Sequence, residues 1–220
     1  AAEAGAVLLA VGLPPSMGEP FGLTDCPRYR RMVDTLGMVT DERGNNGCHV
    51  HVEVPSRDAA LAVSNWMRPW LPVMLALTAN SAVFRDIDTG HASWRHVMWT
   101  RWPSAGPPPF FESPAHYDRM VAMLLDTGAA LDDSMIYWDI RPSVRFPTVE
   151  VRIADVPATA AETVLYATLV RAAAMTALAG YERGDPAPDV ADHVLRTACW
   201  KAAHDGIDGR LIDILGGGRT

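Results

Sequence analysis

The chain has 220 residues, 49% of them hydrophobic, enough for one sizeable core, and it carries a net charge of −7. Its cationic residues are scattered, which excludes the basic footprint of a nucleic-acid or anionic-lipid binder and points to small-molecule or protein partners. Cys26, Cys48 and Cys199 stand too far apart for a paired Cys-x-x-Cys zinc site and fit a reducing cytoplasm, while the apolar run over 6–13 is too short to span a bilayer.

In chain order, Val7 to Val11 reads as a short buried strand, stopped by Pro14-Pro15 and followed by a loop through Gly18, Pro20 and Gly22. Arg28 to Leu36 reads as a helix. Residues 48–54 alternate strictly: His49, His51 and Glu53 share one side of a strand, and Val50, Val52 and Val54 the other. Ser56 is the N-cap of a helix that continues to Leu77, kinked near Pro69 and Pro72, with Asn80 and Ser81 after its end. Pro103, Pro107, Pro108, Pro109 and Pro114 make residues 100–114 an irregular loop, placed to act as a lid. Ser113-Pro114 opens a helix to Asp126 that Gly128 ends.

Met135–Ile140 and Thr148–Ile153 read as two strands, the second presenting Thr148, Glu150 and Arg152 opposite Val149, Val151 and Ile153. Thr159-Ala-Ala-Glu162 is a capping box for a helix to about Tyr181. A further helix spans Asp189 to Ala203, and residues after Leu215 read as a flexible tail. The whole is expected to be one domain, 1–220, forming part of a longer protein.

Two polar strand faces carry the candidate chemistry. His49, His51 and Glu53 on one, with Glu150 and Arg152 on the other, are the residue types that hold a divalent cation beside an anionic substrate. The same residues also suit a hydrogen-bonded histidine pair and an ordinary cross-strand ion pair. A metal hydrolase built on His49 and His51 lacks a third ligand nearby. Trp66, Trp70, Trp99 and Trp102 are expected to pack beside the proline-rich loops, and His193 and His204 to sit on a helix surface without a catalytic part.

The ordered set Gly47-Cys48-His49-Val50-His51-Val52, Thr78-Ala79-Asn80-Ser81, Asp88-Thr89-Gly90 with Arg95, Tyr137-Trp138-Asp139-Ile140-Arg141-Pro142 and Thr148-Val149-Glu150-Val151-Arg152 with Asp155 resembles glutamate-cysteine ligase type 2. The match extends through Cys199-Trp200-Lys201 and Asp205 to Gly209, over nearly the whole chain. This resemblance implies an α+β fold shared with glutamine synthetases, an antiparallel sheet curved into a half-barrel and flanked by helices. It also implies an ATP- and magnesium-dependent carboxylate-amine ligase working through an acyl phosphate.

By the same resemblance His49 and Glu150 bind magnesium, and Arg152 contacts the phosphate as the catalytic arginine. By position, His51 is placed to meet nucleotide phosphates or a second metal, and Asn80, Ser81, Arg95 and Arg141 to bind substrate, with His51, Arg95 and Arg141 equally suited to a structural part. Asn80 and Ser81 equally suit helix termination.

Glu53, Ala82, His91 and Trp94 depart from the residues this family usually has there, and no glutamate-rich strand precedes Val7. The expected reading is therefore the central and C-terminal portion of a ligase. Its site is completed by an N-terminal segment or a second chain, or it serves as a non-catalytic nucleotide-binding subunit. A cytoplasmic setting and a homo-oligomer fit this reading.

Overall fold

The computed structural model describes residues 2–16, 22, 24–40, 44–216 and 218–219. In chain order it comprises α1 (Pro27–Leu36), β1 (Val50–Glu53), α2 (Arg57–Met67), α3 (Leu71–Thr78), β2 (Val83–Phe84), β3 (Ile87–Asp88) and α4 (Trp94–Trp99). There follow α5 (Pro114–Asp126), β4 (Ile140–Pro142), β5 (Thr148–Val151), α6 (Ala160–Glu182), α7 (Asp192–Asp205), β6 (Ile212–Asp213) and β7 (Gly218–Arg219).

Helix boundaries follow local chemistry. The Ser56 hydroxyl accepts from Ala59 N–H and Ser113 from His116 N–H, while Thr159 and Glu162 form the reciprocal capping box. The kink expected at Pro69 and Pro72 is a single 3-10 turn, Arg68–Trp70, between α2 and α3.

Three antiparallel strands in the order β1-β5-β4 make the largest sheet among the described residues. Val50 and Val52 lie opposite Val151 and Val149, which face Ile140 and Pro142 on the other flank. This apolar face packs on α2, α3, α6 and α7 through Val63, Leu71, Leu75, Val170, Ala174 and Ala202. Burial of that apolar face against the helices is the main favourable term for the sheet, since strand pairing this short needs a buried face to hold in water. A second cluster, around Phe111, Tyr117, Met135 and Trp138, sits under α5. The result is a mixed α+β fold with small antiparallel sheets.

α6 alone among the described helices has the length and composition of a membrane span. It is laid along the core, with Tyr166, Val170, Ala174, Ala177 and Gly180 facing in.

Several expectations need correction. Residues 6–11 form no strand: Val7 and Leu8 are 83% and 89% exposed, since among the described residues no strand pairs with them. Gly18 and Pro20 lie outside the described residues. Residues 135–139 are a 3-10 turn and extended chain, and the β4 ladder begins only at Ile140. The loop over 100–113 is irregular as expected, but it is pinned rather than a free lid. Asn65 exchanges hydrogen bonds with Phe111 N–H and C=O at 2.9 and 2.8 Å, and Arg68 donates to the Pro108 carbonyl at 2.9 Å. Trp70 is half exposed, whereas Trp99 and Trp102 stack on Tyr137. The C-terminal residues expected as a tail pair instead as the β6–β7 hairpin, with Gly217 and Thr220 outside the description.

Candidate active site

Alternation places every second side chain of a strand on one face, so the core face fixes what the other face presents. On that other face, Glu150 of the central strand β5 lies directly between His51 of β1 and Arg141 of β4. His49 and Arg152, one residue beyond the ladder, extend the row.

The Glu150 carboxylate is the hub. Its Oε1 lies 3.2 Å from His49 Nδ1, 3.6 Å from His51 Nε2 and in direct contact with Arg152 Nη1; Oε2 lies 3.3 Å from Arg141 Nε. His51 Nδ1 is 2.9 Å from the Thr148 hydroxyl, and Arg141 Nη1 donates to the Asp133 carbonyl at 3.2 Å. Burial alone would raise the Glu150 carboxyl. The His49 hydrogen bond and the charges of Arg152 and Arg141 outweigh that, holding it at about 2. Burial is also the largest influence on His49, lowering it despite the pull of Glu150; its Nδ1 stands 3.2 Å from Glu150 Oε1 and 3.4 Å from Arg152 Nη1, and the neutral ring keeps one nitrogen lone pair.

The remaining expected site residues fall elsewhere. Asp155, fully buried, accepts from Asn80 N–H at 2.9 Å, the Ser81 hydroxyl at 2.7 Å and the Ser93 hydroxyl at 3.0 Å. It also pairs with Arg95 at 3.5 Å, and Arg95 donates to the Ile153 carbonyl. The Asn80 side chain donates to the carbonyls of Ala10 and Val156. Arg95 is only 3% exposed and sits so close to Gly47 that a Cβ there would meet its Nη2 at 2.3 Å. Asn80, Ser81 and Arg95 thus brace the frame around Asp155 instead of joining the row.

Asp139 escaped the reading of the sequence. It is 1% exposed, burial raises its carboxyl to about 7 against the pull of Arg95 and Arg152, and its Oδ2 has no hydrogen-bond partner. The signal was faint: an acidic residue inside an otherwise apolar Tyr-Trp-Asp-Ile run. The largest cavity described, about 780 Å³, is lined by Trp138, Met120 and Trp200 among others and by no member of the Glu150 row. Within the row the His49 and His51 side chains are about a third exposed, whereas Glu150 and Arg141 are buried beneath them at 5% and 6%.

As a donor set for magnesium, the row offers one hard carboxylate and one neutral imidazole. A magnesium ion that keeps waters and nucleotide oxygens needs few more ligands from protein, and the residues fit it to that extent. Among the described residues no group of three or more histidine, cysteine or acidic side chains could cage a metal.

Comparison with known families matches residues 1–218 to glutamate-cysteine ligase family 2. The chain belongs to that family. "Putative glutamate--cysteine ligase 2-3" of Mycolicibacterium smegmatis is 63% identical over 210 residues, covering 96% of this chain and 58% of that protein. Similarly named proteins of Mycolicibacterium vanbaalenii and Nocardia farcinica are 60% and 56% identical, with 59% and 55% of their lengths covered. The chain thus spans less than two thirds of these glutamate-cysteine ligase family members.

Proposed function

We propose that this chain carries the nucleotide-binding face of a magnesium- and ATP-dependent carboxylate-amine ligase that joins glutamate to cysteine. The observation that supports this reading most is the Glu150 carboxylate held ionised between His49, His51, Arg141 and Arg152 on one sheet face. In the complete protein the three strands belong to a larger curved antiparallel sheet, and further acidic ligands come from polypeptide outside these residues.

A carboxylate oxygen is a poor leaving group, so an amine displaces it only after activation. The substrate carboxylate attacks the γ-phosphorus of ATP, the bond to ADP breaks, and an acyl phosphate results. The amine then adds to the acyl carbon and loses a proton, and inorganic phosphate departs to leave the amide. Magnesium, held by Glu150 and His49, would supply charge neutralisation between phosphates. Arg152 stabilises charge developing on the transferred oxygens, and His51 orients the phosphates. Arg141, on the same face as Glu150, meets the acid substrate, whereas the Arg95 guanidinium is held by Asp155 and the Ile153 carbonyl.

Calorimetry with ATP and magnesium, run beside an assay for the amide product, tests this. Glu150→Gln should abolish magnesium-dependent turnover, and Arg152→Ala should lower it by about 100-fold, as loss of a preorganised charge stabiliser does. Wild-type turnover in both variants would defeat the proposal. Nucleotide binding without product would assign the chain to a non-catalytic subunit.

A further inference from the structure

Two histidines outside the Glu150 row meet at the far end of α7. His91 lies in the loop after β3 and His204 in the last turn of α7, and their ring centroids stand 4.9 Å apart with planes at 78°. Backbone bonds clamp them together. Ala92 N–H donates to the His204 carbonyl at 3.1 Å and Ser93 N–H to the Ala203 carbonyl at 2.8 Å. The approach is close enough that a Cβ on Gly206 would meet the Ala92 methyl at 2.8 Å.

The hydrogen bonds of the two rings decide where their lone pairs lie. His91 Nδ1 is 3.1 Å from the Thr89 carbonyl oxygen, which can only accept, so Nδ1 carries the proton. His204 Nδ1 is 2.6 Å from Asp205 Oδ1. Lys201 first, and His204 after it, hold the Asp205 carboxyl below the usual range, so it too is an acceptor only. With Nδ1 so engaged, the nitrogen of each ring left to bind a metal is Nε2. A carbonyl or carboxylate on the non-ligating nitrogen is the arrangement that orients metal-binding histidines. With a metal–nitrogen distance of about 2.1 Å, two imidazoles on one tetrahedral ion have centroids about 5 Å apart, which is the spacing present here. Trp94 and Trp200 flank the pair, each with a ring 5.2 Å from a histidine, and the His204 side chain is 44% exposed, leaving a route in.

We propose that His91 and His204 form a two-histidine site for a late divalent transition-metal ion, zinc, nickel or copper, through their Nε2 atoms. Water or an external ligand takes the other positions, since among the described residues no third metal-binding side chain joins them. Imidazole nitrogen favours these ions, and a pair of imidazoles without a carboxylate ligand takes magnesium poorly, unlike the Glu150 row, which offers a hard carboxylate. The bound ion ties the 89–93 loop to the end of α7.

The test is titration of the metal-stripped, tag-free chain with zinc chloride in excess magnesium chloride, followed by calorimetry, and with copper(II) followed by electron paramagnetic resonance. One zinc site that magnesium does not displace is expected, with a copper signal showing two nitrogen ligands. His91→Gln and His204→Gln should each weaken zinc at least about tenfold, as loss of an orienting or ligating group does, and each should leave one copper-bound nitrogen. A His49→Ala/His51→Ala variant should retain the site. Thermal melts without metal, matched between parent and the glutamine variants, separate loss of ligation from loss of fold. Zinc affinity unchanged in both glutamine variants, or lost in the His49→Ala/His51→Ala protein instead, overturns the proposal. So does an absence of binding by the parent chain.

Discussion

Replacing Glu150 by glutamine should destabilise the fold in a way that fades with acid. The carboxyl sits at about 2 in the folded chain against 4.5 for the free side chain, a difference of about 2.5 units, or about 3 kcal/mol at neutral pH. Because the folded value is the lower one, that stability is present above the unfolded value and is lost as pH falls toward 2. By pH 3 about 2 of the 3 kcal/mol is gone. Glutamine keeps the shape but leaves Arg141 and Arg152 without their counter-charge, so the loss at pH 6 should be about 3 kcal/mol, the lower end of what breaking a buried pair costs. Urea unfolding of parent and variant from pH 6 to pH 3 measures it. The gap between them should narrow by about 2 kcal/mol. A gap independent of pH would refute the claim that the row holds Glu150 ionised.

Asp139 should behave in the opposite sense. Its folded value of about 7 exceeds its unfolded 3.8, so the parent loses up to about 4 kcal/mol as pH rises from 4 through 7, and Asp139→Asn removes that dependence in the same urea series. Asp155→Ala should cost about 3–5 kcal/mol in chemical denaturation, since it strands the Arg95 charge and leaves the Ser81 and Ser93 hydroxyls and the Asn80 amide short of an acceptor. Gly47→Ala should cost about 1–3 kcal/mol, because the added methyl meets the Arg95 guanidinium and, at 3.3 Å, the Ala154 carbonyl; a neutral effect in thermal melts would mean that Arg95 yields easily.

What could be read in the sequence was what local chemistry decides. Caps at Ser56, Ser113 and Thr159 set helix starts because each bonds amides within its own first turn. The row was legible because a period of two forces Glu150 and Arg152, or His49 and His51, onto one side whatever else the fold does. Asn80, Ser81 and Arg95 were not legible. Their partner Asp155 lies 60 to 75 residues away along the chain, and no local pattern announces such a contact. Residues 7–9 failed for a related reason: a short apolar run becomes a strand only where another strand accepts it, and Leu8 here stays 89% exposed.

The same contrast explains why the row, and not the Arg95 frame, is where an anion would bind. In the frame the Arg95 guanidinium is matched by a fully buried carboxylate on Asp155, so no net charge faces outward. In the row, Arg141 and Arg152 share one carboxylate, and His49 adds none of its own because burial keeps it neutral. Two guanidiniums on one carboxylate leave a local excess of positive charge around Glu150, with Glu53 an exposed carboxylate further along the same side of β1, in a chain whose net charge is −7. Over a low-dielectric core such a local excess favours an anion beside it. Arg152→Ala should therefore weaken nucleotide binding most at low ionic strength, while Arg95→Lys, which changes no charge and lies behind the face, should leave the salt dependence of binding as it is. Equal salt slopes in all three proteins would mean that the row's excess charge does not reach the nucleotide.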